Sequence, residues 1–502
     1  MTSETRKRLL KTLDELFPKV QIVVVNQQLC DALLEKEWLS EWKALVKRHP
    51  STRILVDARK KAGDFGAHLV KLNEREAREL LGQDLGSEQL ALESAKKLGC
   101  DIFLTRGDKG LVIAKASGEC ETFPAVRIAP PVDPVGAGDT TVAAIAVGLA
   151  GGLDSASAAK LATLAAAVTV RKINETGAPT PEEILALEKE ADFIHLPDLA
   201  ENPDRARMFA ASSIEIVSAL PENLEIRHAI FDHDGTLSTL RHGWESVMEP
   251  VMLRAILGKS LENATQDAWA SSERSARPAP EKKSAIRAEV KRFIEETTGI
   301  QTLAQMQGLA ALVKRCGCVP ENEILDAHGY KKIYNDALMA QVNERRALLD
   351  RGDLAPEDFQ IKNARALLEA LKSRGIRLYL ASGTDVADVK DEAKAMGYAD
   401  LFDGGIYGAI GRVDVEAKRE VMDRIQAEHK LDGRSLVVFG DGPVEIREGR
   451  RRGAACVGVG SQEASRHGLD LAKRTRLIRA GAHLVVPDFG SLEKLLQLLK
   501  LR

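Results

Sequence analysis

The chain has 502 residues, too many for one ordinary hydrophobic core, so at least two domains are expected. Its 71 Lys and Arg against 74 Asp and Glu give a formal net charge of -3, with both signs interspersed along helical faces, which argues against a nucleic-acid or anionic-membrane partner. Six cysteines (Cys30, Cys100, Cys120, Cys316, Cys318 and Cys456) are scattered, and the opening MTSETRKRLLKTLDELF is charged and amphipathic, so a reduced, cytoplasmic protein without a signal peptide is expected.

After one N-terminal helix, short Val-, Ile- and Leu-rich runs alternate with helical stretches. They lie at Val20 to Val25, Arg53 to Val56, His68 to Leu72 and Ile102 to Thr105. Strands alternating with helices predict a parallel α/β domain, assigned to residues 1–195. The apolar segments Thr140 to Leu153 and Leu161 to Val170 are Ala-rich and broken by Gly151 and Gly152, which suits buried helices better than a membrane span of about 20 residues.

Within this half, PPVDPVGAGDTTVAA carries a glycine-rich turn, Gly136, Ala137 and Gly138, running into an apolar helix. Such a turn leaves backbone N–H groups free at a helix N-terminus, where they stabilise charge on a transferring phosphoryl group. Asp139 stands where it can deprotonate an alcohol for attack on ATP. Upstream, Asn73 and Glu76 follow a strand end and can hold Mg²⁺ through water. The set N-x-x-E, T-R-G-x-x-G (Thr105 to Gly110) and D-x-x-G-A-G-D (Asp133 to Asp139) resembles the ribokinase-like (PfkB) sugar kinases. TVRKINETGAPTPEEI, near Val170 to Ile184, looks most like their heptose-phosphate kinase branch. The resemblance implies Asp139 as catalytic base, Gly136 to Gly138 as anion hole, and a nucleotide site with Thr105, Gly107, Gly110 and Asn174. It covers only the C-terminal part of that fold, because the family carries well over a hundred residues before its counterpart of Val20 to Val25. Three readings stand: a second polypeptide supplies the missing half, the half-domain is a nucleotide-binding or homo-oligomerising relic, or the sequence lacks its natural start.

Residues 196–226, with Pro197, Pro203 and Pro221 and a helix-like segment from about Arg205 to Ala219, are expected to be a linker. A second α/β series follows at Ala229 to Phe231, Arg377 to Ala381, Leu436 to Phe439 and Cys456 to Val459, within residues 227–502. Between the first two of these runs, about 240–358, the pattern is helical and charged and predicts an inserted cap, with SERSARPAPEKK (271–283) as its loop-like stretch. Cys316 and Cys318 form a lone C-x-C without further ligands at zinc spacing. Arg450 to Arg452 are expected on a solvated helix face.

HAIFDHDGTL sets Asp232 and Asp234 just after an apolar strand, the end of a parallel sheet where ligands bind. A turn there lets one carboxylate attack phosphorus while the other protonates the leaving oxygen and then activates water. A carboxylate nucleophile needs a cation against phosphate, and oxygen ligands imply Mg²⁺. Partner acids Asp441 and Glu445 follow another strand in LVVFGDGPVE. RLYLASGTD ends in Ser382, Gly383 and Thr384, suited to phosphate oxygens, and Lys418 lies between these two strands.

This ordered set resembles the haloacid dehalogenase superfamily, with a C1-type helical cap, over roughly Arg227 to Arg502. The resemblance implies a HAD-type phosphatase of a small phosphorylated metabolite: Asp232 as nucleophile and Asp234 as general acid/base, Ser382, Gly383 and Thr384 for phosphate, Lys418 for charge balance, and Asp232, Asp234, Asp441 and Glu445 on the metal side. Glu445 stands where Asp is more usual. Asp234 suits phosphate chemistry rather than dehalogenation. Arg241, His242, Trp244 and Glu245, at the entry to the cap, are the candidate substrate contacts. The expected fold class is therefore α/β with two doubly wound parallel-sheet domains. The alternatives to a phosphatase are a phosphomutase, a sugar kinase completed by a partner chain, and a regulatory nucleotide-binding assembly protein.

Overall fold

Apolar strand runs flanked by amphipathic helices bury both faces of a sheet, and the chain does this twice. The computed structural model describes residues 2–27, 34–59, 61–128, 132–258, 280–297, 302–409, 417–430 and 432–501. It divides into two units, Met1–His195 and Leu196–Arg502. Cys30 and most of the 271–283 stretch expected as a loop fall outside the described residues, and nothing is described of the Glu245 side chain.

The first unit holds β1 (Ile22–Gln27), β2 (Arg53–Ala58), β3 (Leu69–Asn73), β4 (Asp101–Thr105), β5 (Leu111–Ala114) and β6 (Cys120–Phe123), hydrogen-bonded in sequence order. The first four strands are parallel and the last two antiparallel. One face packs on Phe17, Trp38, Trp42 and Leu45, and the other on Val142, Ile145 and the Ala158, Ala159 and Ala162 row of helices Ala137–Ala150 and Ser155–Thr169. A small ladder joins β7 (Ala125–Val126) to β8 (Phe193–Ile194). The expected strands are present. The β5–β6 pair was missed because both strands are short and follow directly on a turn.

The second unit holds β9 (Glu215–Ile216), β10 (His228–Phe231), β11 (Arg377–Asp385), β12 (Gly405–Ala409), β13 (Leu436–Gly440), β14 (Ala455–Val459) and β15 (Leu484–Val486), in the order β12-β11-β10-β13-β14-β15-β9. All neighbours are parallel except β9. The strand order reverses at β10, whose neighbours β11 and β13 lead away in opposite directions, so the C-terminal ends of these three strands open a crevice. Between β10 and β11 the chain forms helices Trp244–Leu257, Pro280–Thr297, Thr302–Cys316 and Ala327–Asp350 around their own cluster, with Met252, Ile256, Leu309 and Val342 buried. No disulfide joins Cys100, Cys120, Cys316, Cys318 and Cys456. No helix among the described residues is long and apolar enough to cross a membrane.

The stretch expected as a linker is built into the second unit instead. Residues Pro197–Glu201 form a short helix, and Glu215–Ile216 pairs antiparallel with β15; no helix spans Arg205 to Ala219. The physical reason is a buried ion pair. The Arg474 guanidinium, fully buried, donates to Glu215 Oε2 at 2.6 Å and Oε1 at 2.7 Å, and to the carbonyls of Ala200 and Leu199 at 3.2 Å. The basic run expected to be solvated is likewise engaged: Arg451 and Arg452 reach the buried Glu448 carboxylate at 3.0 and 2.6 Å.

Removing one member of a buried pair leaves the other charge uncompensated, so Glu215→Ala is expected to destabilise the C-terminal unit by about 3–5 kcal/mol, whereas the double change Glu215→Met with Arg474→Met costs less. Chemical denaturation followed by circular dichroism measures both.

Candidate active site

Strand β10 delivers Asp232 to the crevice, and the Asp232 N–H donates to Phe439 O at 2.9 Å, fixing the loop after β10 to β13. The carboxylate is buried, with Oδ1 2.8 Å from Lys418 Nζ, and the same ammonium lies 2.8 Å from Glu445 Oε2. Glu445 folds back over its own helix start, accepting from Gly442 N at 2.6 Å. A Cβ at position 440 would lie 2.1 Å from Glu445 Cγ, so glycine there gives the longer acid its room. Burial pushes the Asp232 carboxyl well above its ordinary range; Lys418 opposes this, while Glu445 and Asp441 add to it. Burial works against the Lys418 charge, yet Asp232 and Glu445 together raise its affinity for the proton.

Asp441, the first residue after β13, places Oδ2 2.7 Å from Lys473 Nζ, whose other partner is Glu463 at 2.6 Å. Asp232, Asp441 and Glu445 offer oxygens within 4.8 Å of one another. Lys418 and Lys473 are each shared between two carboxylates, so the group keeps excess negative charge in a buried place. An oxygen-only donor set with residual negative charge fits a hard divalent cation, Mg²⁺. The group formed by His233, Asp234 and Glu392 fits one less well, because Arg241 Nε and Nη2 already grip Glu392 Oε1 at 3.1 and 2.7 Å.

Asp234 sits across the crevice, with Oδ2 accepting from Thr384 Oγ1 at 3.3 Å. His233 Nδ1 lies 3.5 Å and Arg241 Nε 3.9 Å from its Oδ1. Burial works to raise its carboxyl, but His233 and Arg241 outweigh that and hold it at about 2. Ser382 and Thr384 belong to the end of β11, which continues to Asp385, past the expected end at Ala381, and Ser382 Oγ accepts from Thr384 N at 3.1 Å. A cavity of about 160 Å³ is lined by Asp232, Asp234, Ser382, Lys418 and Asp441 from the core and by Lys331 and Asn335 from cap helix Ala327–Asp350. Of the site residues expected in this half whose side chains are described, all but His242 are thus gathered in one place. His242 faces Glu463 at 3.5 Å and does not line the cavity; Arg241 lines it with its guanidinium committed to Glu392. Glu392, Lys473 and Glu463 carried no sequence signal, because each arrives from far along the chain.

In the first unit, Gly136 (φ 81°) caps helix Ala137–Ala150, and Asp139 in its first turn accepts from Asn26 Nδ2 at 3.2 Å. The loop before it is cinched by Asp133, which accepts from Val135 N and Asn174 N at 3.0 Å. Ala137 N–H donates to Pro134 O at 3.2 Å, so the amides of Gly138 and Asp139 are those aimed outward at the helix start. Asn73 and Glu76 bond each other's backbone N–H at 2.9 Å in a capping box, a structural role for the pair expected near a metal. Thr105 Oγ1 donates to Leu72 O at 3.3 Å, and Gly107 opens a tight turn (φ 62°). At Gly110 (φ 92°) an added Cβ would meet Phe123 O at 2.1 Å, so its glycine is explained by packing. Beneath the Gly136 to Asp139 turn lies a buried pair that the sequence did not disclose, Lys71 with Asp57 at 3.3 Å. Lys71 Nζ is 3.5 Å from the point a Cβ on Gly138 would occupy.

Residues 2–182 match the model of the pfkB family carbohydrate kinases, and residues 226–453 match that of the haloacid dehalogenase-like hydrolases. Among curated proteins the chain is similar to the bifunctional protein HldE of Paramagnetospirillum magneticum, 30% identical over 220 residues, 40% of this chain and 43% of that protein. It is 31% identical over 195 residues to the bifunctional protein HldE of Trichlorobacter lovleyi, 37% of this chain and 38% of that protein. The chain therefore spans about two fifths of the length of these relatives. Among solved structures it is similar to a ribokinase from Thermotoga maritima (23% identity, 35% of this chain and 61% of that one, TM-score 0.29). It is also similar to a β-phosphoglucomutase from Clostridium difficile (15% identity, 55% and 98%, TM-score 0.36).

Gly235 closes the turn after the paired aspartates at φ 71°, and a Cβ there would lie 2.1 Å from Asp441 Oδ2. Gly235→Ala is expected to lose about 1–2 kcal/mol from the left-handed backbone alone and to displace the Asp441 carboxylate. Denaturation reads the first effect and a crystal structure of the variant the second.

Proposed function

We propose that this chain, which joins a PfkB-family carbohydrate kinase region to a haloacid dehalogenase-like hydrolase region, is a Mg²⁺-dependent phosphatase of a small phosphorylated metabolite, a sugar phosphate being the favoured class. The observation that carries the reading is the buried Asp232 carboxylate, 2.8 Å from Lys418, with Asp234 opposite and Ser382 on the same cavity wall. The crevice, lined by polar side chains of the core and the cap, suits a small phosphorylated body.

In this reading Asp232 attacks phosphorus in line with the leaving oxygen; the bond to that oxygen breaks, and Asp234 supplies its proton. Phosphate arriving beside Asp234 adds negative charge and raises its carboxyl toward the range where it holds that proton. Asp234 then takes a proton from water, which attacks the aspartyl-phosphate, frees Asp232 and releases inorganic phosphate. Lys418 offsets the repulsion between Asp232 and phosphate, and the hydroxyl of Ser382 holds a phosphate oxygen. Mg²⁺, held by Asp232 and Asp441 with Glu445 beside them, supplies Lewis-acid charge stabilisation. Cap helix Ala327–Asp350 contributes Lys331 and Asn335 as the contacts with the body of the substrate.

A second reading concerns the N-terminal region, where Asp139 heads an apolar helix beside Asn26, an arrangement suited to deprotonating an alcohol that attacks ATP. Equilibrium dialysis with Mg²⁺ and ATP tests it: binding that is lost in a Gly138→Asp variant supports the site, and no binding by the wild type sinks it.

For the phosphatase, wild type incubated with Mg²⁺ and a panel of sugar phosphates, without ATP, is expected to release inorganic phosphate. Asp232→Asn is expected to reduce this by at least about 10³-fold. An isomeric sugar phosphate appearing in place of free phosphate points to a phosphomutase, and no product from any substrate refutes both.

A further inference from the structure

Asp441 is a metal-side acid on the reading above, and one of its oxygens is already occupied. Oδ2 rests against the Gly235 turn and takes the ammonium of Lys473 at 2.7 Å. Lys473 is 6% exposed, at the start of helix Leu471–Ala480, where its own N–H donates to Asp470 Oδ1 at 2.9 Å. The ammonium has a second tether in Glu463 Oε1 at 2.6 Å, and Glu463 Oε2 lies 3.5 Å from His242 Nδ1. The loop that carries Glu463 is itself fixed. Ser461 Oγ donates to Gly235 O at 2.9 Å, Gly460 N to Val486 O at 2.8 Å, and Asp470 N to Gly460 O at 2.7 Å. No step of the proposed reaction uses Lys473 or Glu463.

Two carboxylates and a lysine buried together are costly unless the geometry is specific. Here the arrangement has a directional consequence. An ammonium on Oδ2 fixes the carboxylate's rotation and leaves Oδ1 as the oxygen it does not hold, while Asp441, Asp232 and Glu445 offer oxygens within 4.8 Å of one another. A metal competing for both oxygens would be repelled by the ammonium, so the pair also enforces single-oxygen coordination.

We infer that Lys473, held by Glu463, is a positioning residue for the metal ligand Asp441: it clamps the outer oxygen and leaves the inner one preset for a divalent cation. The inference rests on the metal-dependent reading of the site. Outer partners of metal ligands change affinity by about 10- to 100-fold when removed.

The test is metal binding itself, read by electron paramagnetic resonance with Mn²⁺ and no substrate. Lys473→Met, checked for folding by circular dichroism, is expected to bind Mn²⁺ about 10- to 100-fold more weakly than wild type. Glu463→Gln retains the ammonium on Asp441 but loosens it, and is expected to weaken binding in the same direction by less. It also serves where Lys473→Met fails to fold. Wild-type affinity in both variants, or tighter binding in Lys473→Met, overturns the inference, since the lysine would then be a mere packing element or a competitor of the metal. If wild type binds no Mn²⁺, the metal reading and this inference fall together. If Mn²⁺ binds and is weakened as expected while no phosphate ester is hydrolysed, the positioning role stands and the phosphatase reading alone is lost.

Discussion

Everything in the C-terminal unit is arranged around one ammonium, that of Lys418, shared at 2.8 Å between Asp232 and Glu445. Without it two buried carboxylates would face one another, and each would be driven to take up a proton. With it, Asp232 has a counter-charge in a place from which water is largely removed. Burial alone raises the carboxyl, and the lysine is the local counterweight.

The sheet makes that geometry reproducible. Strands β10 and β13 are in register, with Phe231 opposite Phe439 and their rings stacked at 4.6 Å, so the loops after them start side by side. Two glycines finish the work at positions where no side chain fits. Gly440 lets Glu445 fold back under Lys418, and Gly235 lets Asp441 approach the turn that carries Asp234. Glu445 folds back within its own loop to accept from Gly442 N–H and still reaches Lys418.

The strand ends and the motifs on them were legible in the sequence, because an apolar run followed by Asp or Ser is a local pattern, and parallel sheets gather such ends at one edge. Asp232, Asp234, Ser382 and Asp441 were brought together for that reason, and Lys418 and Glu445 join them from the first turns of helices Ala417–His429 and Pro443–Arg451. What was not legible came from pairs distant in sequence. Arg474 and Glu215 turn an apparent Pro-rich linker into part of the second sheet. The partners of the cap-entry residues were equally hidden: Arg241, which lines the cavity, bonds Glu392, and His242 faces Glu463. Arg451 and Arg452, read as a solvated run, converge on Glu448. A charge in a sequence carries no mark of its eventual counter-charge, so the reading failed most where ion pairs decide the outcome. The Asp57–Lys71 pair under the glycine-rich turn is the same case in the first unit, a buried lysine and aspartate within strands that otherwise read as apolar.

The two units also differ in how they handle charge, and on the proposed readings the difference matches the nucleophile each site would use. A carboxylate that attacks phosphate needs cations close by, and the second unit commits Lys418 and Lys473 to its acids while retaining an excess of negative charge suited to a divalent ion. An alcohol brought in as nucleophile is neutral and needs only a base. In the first unit Asp139, bonded to Asn26, stands at a helix start whose outward amides suit negative charge. The Lys71 ammonium beneath the turn is paired with Asp57. That pair stiffens the floor of the site, and it adds no net charge to compete with the helix terminus for an incoming phosphate.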